Sequence, residues 1–211
     1  MTLNSFVGII DYGVGNIFSI KRSLDYLGVS SELTDDIDTL SRYDKIILPG
    51  VGAFGDAKAK LDVNGMGDAL IEEASKGKLL IGICLGMQLL LGESAEYGNH
   101  KGLGLIPGKA EDMDLLVSDK SLPIPQMGWN SLIIDRDKDT NGLMRYVSDG
   151  DYVYFVHSYA CIDCEESVIA TVDYSFPVTA AVSKDNVMGV QFHPEKSGET
   201  GLSILKAFCE M

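Results

Sequence analysis

In the first half of the chain, short runs rich in apolar residues alternate with stretches of helical periodicity. Residues 6–10, 45–48 and 79–83 form such runs, and their length favours buried strands over helices. Helical spacing of apolar residues follows the first run, and a second helix is predicted over residues 66–76. This alternation predicts right-handed crossover units and a parallel sheet.

Two residues mark the ends of the first predicted helix. Asn16 follows a glycine-rich turn and belongs to the residue types that commonly cap helix N-termini, so we predict that it caps this helix. Gly28 comes just after the last apolar residue of the helical pattern, where glycine is preferred. The helix is therefore expected between these two residues.

The second half of the chain is patterned differently, because apolar runs follow one another with only short turns between them. Antiparallel pairing is therefore predicted for this half. A final helix is predicted over residues 201–210. Strands are predicted over residues 103–106, 131–134, 152–157, 168–172, 178–182 and 187–192. We predict one α/β domain over residues 1–211, with a mixed, mostly parallel central sheet, flanking helices and antiparallel strands in the second half.

Composition and charge narrow the class of protein. The chain has 211 residues and a formal net charge of -14, which argues against a nucleic-acid or anionic-membrane surface, since both need clustered Lys and Arg. The first five residues lack the basic segment of a signal peptide, and no apolar run reaches membrane-spanning length. Four cysteines do not indicate a disulfide framework in a chain of this size, so we expect a cytoplasmic protein.

Cys84 is the strongest candidate for chemistry. It lies between a strand-like run and a helix-like run, with Gly82 and Gly86 on either side. Glycines there permit a tight strand-to-helix turn, the layout of a nucleophile elbow, and the helix N-terminus favours the thiolate. Most free cysteines are buried core residues, but a core cysteine needs no flanking glycines. The pattern therefore favours a nucleophile.

Other candidate sites are weaker. Cys161 and Cys164 form a C-x-x-C pair, but a zinc site would lack ligands, and the pair follows a strand into an acidic loop rather than preceding a helix. We interpret the pair as incidental. The glycines near residue 13 lack the third glycine of a dinucleotide fingerprint, and no P-loop sequence is present. No cofactor and no metal are expected.

A general base for a thiol nucleophile must come from three histidines. His100 lies in a sequence typical of an exposed turn, and His157 ends a strand. His193 is followed two residues later by Glu195, and residues two apart on an extended chain share a face. A carboxylate beside the imidazole fixes its tautomer and stabilises its charged form. We therefore predict that Cys84, His193 and Glu195 form a catalytic triad.

Backbone donors for an oxyanion are also predicted. Residues 49–52, Pro-Gly-Val-Gly, follow the end of a strand, where the active-site loops of open α/β sheets gather. Their glycines let a backbone N–H turn toward developing negative charge, and the N–H of Leu85 directly follows the nucleophile. Taken alone, the Pro-Gly-Val-Gly string would also suit an ordinary turn.

These motifs resemble the class I glutamine amidotransferases, the triad family that takes ammonia from glutamine. The strings G-I-C-L-G-M-Q around Cys84 and F-H-P-E at His193 carry the general resemblance. Five further strings resemble the branch that serves histidine biosynthesis. They are D-Y-G-V-G-N from Asp11, L-P-G-V-G-A-F from Leu48, P-Q-M-G-W-N from Pro125, Y-F-V-H-S-Y from Tyr154 and V-Q-F-H-P-E-K-S-G from Val190. The resemblance implies the class I amidotransferase fold over the whole chain.

The resemblance also implies roles for individual residues. The oxyanion would be held by backbone N–H groups of Leu85 and of Val51 or Gly52. The residues expected to hold glutamine are Gly52, Gln88, Glu96, Ser158 and Tyr159. Glu96 suits the α-ammonium group, which needs an acceptor of opposite charge.

A partner is implied as well. Members of this branch pass ammonia to a separate (β/α)₈-barrel cyclase, and Trp129, Tyr154 and Lys196 match positions expected at that interface. Composition alone would place the two aromatic residues in a core. Three other functions remain open: a glutaminase serving a paralogous cyclase or another ammonia acceptor, a partner-binding regulator without activity, and a cysteine hydrolase acting on peptides.

Overall fold

The computed structural model describes residues 5–211, so the N-terminal four residues, on which the prediction of no signal peptide partly rests, lie outside the described residues. In chain order the strands are β1 (Phe6–Ile10), β2 (Ser30–Thr34), β3 (Lys45–Gly50), β4 (Leu79–Cys84), β5 (Glu93–Ser94), β6 (His100–Lys101), β7 (Lys109–Asp112), β8 (Gln126–Ser131), β9 (Ile133–Ile134), β10 (Tyr152–His157), β11 (Tyr159–Ile162), β12 (Val168–Asp173), β13 (Pro177–Lys184) and β14 (Val187–Val190). The α-helices are α1 (Ile17–Tyr26), α2 (Phe54–Asp62), α3 (Met66–Ser75), α4 (Leu85–Leu90), α5 (Met113–Leu116) and α6 (Gly198–Cys209). Short 3₁₀ turns occupy Ile37–Arg42, Glu165–Ser167 and Pro194–Lys196.

An eight-stranded sheet forms the centre of the fold, in the order β2-β1-β3-β4-β14-β13-β12-β9. From β2 to β14 the neighbouring strands are parallel, and from β14 to β9 they are antiparallel. The mixed α/β fold predicted from the sequence is therefore confirmed, with the change of direction at β14. Because β14 runs parallel to β4, the carboxyl ends of these two strands lie side by side.

Side chains alternate across the sheet and bury two apolar clusters. On β4, Ile81 and Ile83 face one cluster while Leu80 faces the other, as the two-residue period of a strand requires. The first cluster includes Ile20 and Leu24 of α1, whereas the second packs α2, α3 and α4 against the opposite face. The sheet is therefore covered on both faces, which explains why its parallel strands read as continuous apolar runs.

Glycines let α4 approach the sheet closely. A Cβ atom at Gly82 would lie 2.5 Å from the Gly86 carbonyl oxygen, and a Cβ at Gly189 would lie 2.6 Å from the Met87 side chain. A real Cβ atom would clash at such distances, so the packing at these two positions allows only glycine. The N-terminus of α4 is thereby held directly over the ends of β4 and β14.

The structure corrects several predicted elements. Residues 103–106 form no strand, because their apolar side chains pack under α4 while their backbone N–H groups donate to carbonyls of that helix and its C-terminal end. The run at 131–134 is split between β8 and β9. Strand β2 and helix α2 had no sequence prediction. Strand β2 lacks a continuous apolar run, because as an edge strand it exposes alternate side chains.

Two predictions about single residues also change. Asn16 stands at the N-terminus of α1, but its side chain makes no capping hydrogen bond there. His100 is not in an exposed turn, since it belongs to β6, is half-buried and lies against Gly55 at the start of α2.

Candidate active site

Cys84 forms a strained turn between β4 and α4. Its backbone angles are φ 56° and ψ -113°, an unusual conformation for a residue with a side chain. A Cβ at Gly86 would lie only 1.9 Å from the Leu48 carbonyl oxygen of β3, so the turn requires glycine after the cysteine. Such strain costs on the order of 1–3 kcal/mol and is concentrated at functional sites. The cysteine is 6% exposed and lines a cavity.

His193 and Glu195 lie at the end of β14, beside the nucleophile. The Nδ1 atom of His193 is 2.8 Å from Oε1 of Glu195, and both side chains are almost fully buried. The chain between them is a 3₁₀ turn, not the extended segment that the sequence suggested. The two side chains are therefore brought together by the turn beginning at Pro194.

The environment of His193 raises its pKa to about 9. Burial opposes the charge and by itself lowers this pKa, but hydrogen bonds to Cys84 and Glu195, together with the negative charge of these two groups, outweigh it. The imidazole is therefore held in its charged form next to the sulfur. A charged imidazole beside a cysteine sulfur is the arrangement found around nucleophilic cysteines.

Asn16 holds the carboxylate of Glu195 in place. Its Nδ2 atom donates to Oε1 of Glu195 over 3.1 Å, which accounts for the missing cap on α1. Sequence reasoning missed this role because the two residues are 179 positions apart. The sequence offered one signal for this role, the asparagine at the start of α1, and an asparagine at that position is normally interpreted as a helix cap.

The cavity at Cys84 has a volume of about 320 Å³. That volume lies at the lower end of the range for small-molecule sites, as suits a ligand of amino-acid size. Its wall combines residues from both halves of the chain. They are Val51, Gly52, Cys84, Leu85, Gln88, Glu96, Pro125, Val156, His157, Ser158, Tyr159, His193 and Lys196. All residues predicted to hold the oxyanion or glutamine line this one cavity, whereas Glu195 lies behind His193 and Trp129 and Tyr154 lie outside.

The loop after β3 passes close to the elbow. A Cβ at Gly50 would lie 2.6 Å from the backbone nitrogen of Gly86, and Gly52 has φ +93°. Tyr12, which sequence reasoning did not select, donates its hydroxyl to the Pro49 carbonyl over 2.8 Å. Burial first, and then the negative charge of Cys84, raise the pKa of Tyr12 well above its usual range. The end of β3, from which this loop starts, is therefore fixed on one side by glycine packing and on the other by a tyrosine.

Glu96 lies at the N-terminus of α2. One of its carboxylate oxygens accepts the backbone N–H of Phe54, the first residue of that helix. Burial raises the pKa of Glu96, while this hydrogen bond lowers it in part. Glu96 also lines the cavity, where its carboxylate can accept a cation.

The carbonyl of Tyr159 organises two further side chains. It accepts from Nε2 of Gln88 over 3.1 Å and lies 2.9 Å from Nδ1 of His157, so the proton of that imidazole is on Nδ1. Burial lowers the pKa of His157 to about 4, which keeps it neutral. Its Nε2 is buried without a partner among the described residues. Sequence reasoning left His157 open, and the structure places it in the cavity wall.

A larger cavity, of about 840 Å³, lies between β9, β11, β12 and β13. Cys161 and Cys164 line it, and among the described residues of its wall there is no histidine. Burial raises the pKa of Cys161 well above its usual value and that of Cys164 to about 11. These thiols stay protonated, so size alone does not mark this cavity as the reactive one.

Trp129 on β8, Tyr154 on β10 and Lys196 in the 3₁₀ turn after β14 form a cluster beside the active-site cavity, in which Trp129 and Lys196 are exposed and Tyr154 is half-buried. The rings of Trp129 and Tyr154 are 5.9 Å apart in an edge-on arrangement, and Nζ of Lys196 is 5.9 Å from the centre of the Tyr154 ring. Trp129 is 52% exposed. The prediction that composition alone would make, a core position for these aromatics, is therefore wrong for Trp129.

Residues 5–211 also bear on metal binding and membrane insertion. No group of three or more His, Cys, Asp or Glu side chains is placed to hold a metal ion in that range. None of the helices described there is long and apolar enough to cross a membrane.

Comparison with known proteins identifies relatives along nearly the whole chain. The sequence profile of the family described as "Glutamine amidotransferase class-I" matches residues 8–211. The imidazole glycerol phosphate synthase subunit HisH of Chlorobaculum tepidum is 47% identical over 97% of this chain and 99% of its own. The subunit of the same name from Listeria monocytogenes is 46% identical, over 96% and 94%. A crystal structure described as a glutamine amidotransferase has a similar fold, with TM-score 0.73, 20% identity and coverage of 96% and 98%.

Proposed function

The chain belongs to the class I glutamine amidotransferase family, and from that premise we propose that it hydrolyses glutamine to glutamate and ammonia for a partner cyclase. Its relatives named HisH are subunits of imidazole glycerol phosphate synthase, so this chain is a subunit of such a complex. The observation that carries the proposal is the strained Cys84 turn facing an imidazole that a buried carboxylate orients. The ammonia serves the synthesis of imidazole glycerol phosphate and aminoimidazole carboxamide ribotide in histidine biosynthesis.

The first half of the reaction forms a thioester. The Cys84 thiolate attacks the carboxamide carbon of glutamine, and the carbonyl oxygen becomes an oxyanion. Backbone N–H groups of Leu85 and of Val51 or Gly52 stabilise that charge. The His193 imidazolium gives its proton to the nitrogen, the carbon–nitrogen bond breaks, and ammonia leaves.

Water completes the turnover. Neutral His193 removes a proton from a water molecule, and the resulting hydroxide adds to the thioester carbon. The tetrahedral intermediate releases glutamate and returns the sulfur to its thiolate form beside the imidazolium. Throughout both halves Glu195 stabilises the charged imidazole and holds its tautomer, and Asn16 keeps the carboxylate oriented.

Substrate binding is assigned to the cavity wall. The carboxylate of Glu96 accepts the α-ammonium group of glutamine, because a carboxylate that is partly buried pairs favourably with an opposite charge. Gly52, Gln88, Ser158 and Tyr159 complete the subsite. The carbonyl of Tyr159 is already used by two side chains, so this residue contributes through its remaining groups.

The partner is a (β/α)₈-barrel cyclase that docks on the cluster of Trp129, Tyr154 and Lys196. Trp129 exposes its ring there and Tyr154 is half-buried beside it, and aromatic residues are enriched at the centres of interfaces. The backbone supports this assignment, since the Tyr154 carbonyl accepts the His193 N–H over 2.9 Å and links the docking strand to the base. No separate cofactor is assigned.

The decisive experiment is a glutaminase assay on the purified chain, alone and with the cyclase plus its ribonucleotide ligand. We expect hydrolysis that rises strongly with the loaded partner and is absent in Cys84→Ala. No hydrolysis under either condition would refute the enzyme assignment, and equal stimulation by an unrelated ammonia acceptor would favour the alternative glutaminase. For the interface, Trp129→Ala is expected to weaken cyclase binding, while Tyr26→Ala, another exposed aromatic, serves as the matched control.

A further inference from the structure

Gln191 is a fully buried amide that the mechanism above does not use. It follows β14 and precedes His193 by two residues, with an exposed fraction of 0%. A buried carboxamide is costly unless both its oxygen and its nitrogen are hydrogen-bonded. Its partners therefore show what the residue contributes.

The hydrogen bonds of Gln191 have a fixed direction. The Tyr159 backbone carbonyl is only an acceptor, so Gln88, 3.1 Å away, must present its NH₂ group to it. The same NH₂ nitrogen is 3.0 Å from Oε1 of Gln191 and donates to it. The oxygen of Gln191 is thereby fixed toward Gln88, and a backbone carbonyl, whose role cannot reverse, sets the whole arrangement.

The opposite end of the same amide faces the nucleophile. Nε2 of Gln191 is 3.8 Å from Sγ of Cys84, within hydrogen-bonding range for sulfur. Cys161 reinforces this orientation, because its Sγ is 3.8 Å from Oε1 of Gln191 and donates to that oxygen. The series of hydrogen bonds from Tyr159 through Gln88 to Gln191 therefore ends in an N–H group directed at the sulfur of Cys84.

We infer that Gln191 is a positioning residue that holds an N–H donor on the Cys84 thiolate and fixes the orientation of Gln88. This inference rests on the proposed function. A donor that is buried and already oriented stabilises a thiolate more than a thiol. Gln88 has both of its N–H groups engaged internally, which leaves only its carbonyl oxygen for the substrate. The substrate group that meets Gln88 is therefore a donor, either the ammonium or the carboxamide NH₂ of glutamine.

The test measures the reactivity of Cys84 directly. The full chain is treated with iodoacetamide between pH 5 and pH 10, and peptide mass spectrometry gives the alkylation rate at Cys84. Gln191→Glu keeps the size and one oxygen but replaces the N–H donor with an acceptor. We expect the midpoint of its rate profile to move up by about one pH unit and kcat with the loaded cyclase to fall about tenfold.

Two further variants make the result interpretable. Gln191→Met removes both hydrogen bonds at similar volume, and it carries the same test where Gln191→Glu does not fold; a smaller upward shift is expected. Gln126→Met alters another fully buried glutamine, on β8, and is expected to leave the profile of Cys84 unchanged. A folded Gln191→Glu or Gln191→Met with the parent profile would overturn the inference.

A measurement that leaves Gln191 unaltered adds an independent check. In Cys84→Ala, the side-chain amide protons of Gln191 should shift in the NMR spectrum, whereas those of Gln126 should not. An unchanged Gln191 signal would overturn the contact. Failure of the proposed function looks different, because the parent chain would then release no ammonia from glutamine while the alkylation profiles still separated.

Discussion

Two cavities in the described part of the chain have cysteine in their walls. One, of about 320 Å³, contains Cys84, and the other, of about 840 Å³, contains Cys161 and Cys164. In the smaller cavity the sulfur lies on a strained turn beside a charged imidazole. In the larger one burial raises the pKa of both thiols, and no histidine lies among the described wall residues.

Neither cavity volume nor the number of thiols distinguishes the cysteine that we propose as the nucleophile. All four cysteines are buried, so exposure does not separate them either. What separates them is the surroundings of the sulfur: an imidazolium, a buried carboxylate behind it and backbone donors at a helix N-terminus.

Replacing the reactive sulfur should have the largest effect. Cys84→Ser is expected to lower kcat for glutamine hydrolysis by more than about a thousandfold, because a hydroxyl at this position ionises far less readily than a thiol. Cys164→Ser, the matched change in the larger cavity, should lower kcat less than about threefold, since that sulfur lies 3.9 Å from the Thr179 hydroxyl and lines the other cavity. Steady-state kinetics with the loaded cyclase measures both, and equal losses would contradict the contrast.

A methyl group at the elbow should destabilise the fold. Gly86→Ala is expected to lower the free energy of unfolding by about 3 kcal/mol or more, because its Cβ would lie 1.9 Å from the Leu48 carbonyl oxygen. Gly92→Ala places its Cβ 3.3 Å from its nearest neighbour, the Gly108 carbonyl oxygen, and should cost less than about 1 kcal/mol. Urea denaturation gives both values. A tolerated Gly86→Ala would show that the elbow is loosely packed.

The two imidazoles of the smaller cavity should give opposite dependences of stability on pH. The pKa of His157 falls to about 4 on folding, so the unfolded chain binds more protons between its ordinary value of about 6.5 and pH 4. Stability from this residue is present above that window and lost as the pH falls through it, by up to about 3 kcal/mol. His157→Phe should reduce the loss seen in urea titrations between pH 7 and pH 4.5.

His193 acts in the other direction. Its pKa rises to about 9 on folding, so its contribution is present below about pH 6.5 and is lost as the pH rises toward 9. His193→Asn should flatten the decline in stability above neutral pH. An unchanged decline would place the cause elsewhere.

Neutralising the triad carboxylate should reduce catalysis but not abolish it. Glu195→Gln is expected to lower kcat by about a hundredfold, since the imidazolium loses the charge that stabilises it. Glu199→Gln, an exposed carboxylate on α6, is the control and should have no measurable effect. A Glu195→Gln enzyme with parental kcat would remove Glu195 from the triad.

The smallest effect is expected at Asn16. Asn16→Ala removes one hydrogen bond to a carboxylate that His193 still orients, so kcat should fall about tenfold with little change in stability. Asn64→Ala alters an asparagine whose side chain bonds only to the backbone and should leave kcat unchanged. A large loss of stability in Asn16→Ala would indicate a structural role instead.

Local patterns predicted most of the fold, and they indicated the residues that we propose as the catalytic triad. The sequence runs that form β1, β3, β4, β10 and β13 are rich in apolar residues because each of these strands buries one or both of its faces. Strand β2 was not predicted because it is an edge strand with exposed side chains. Residues 103–106 were wrongly predicted as a strand because this loop is apolar and buried, as a strand of the core is. The hydrophobic pattern of a sequence indicates which residues are buried. Burial alone does not distinguish a strand from a buried apolar loop, and it does not reveal an exposed edge strand.

By itself the sequence determined the turn at Cys84 and indicated the chemistry that we propose for it. Gly82, Cys84 and Gly86 lie two positions apart in the chain, as do His193 and Glu195, so short-range sterics and charge were enough to select them as candidates. Only the tertiary structure decided which distant groups support them. Asn16 reaches Glu195 across 179 positions, and Gln191 reaches Cys84 across 107. These contacts depend on β14 lying next to β4 with β1 beyond β3, and strand order follows from packing of the whole chain, which no local pattern encodes.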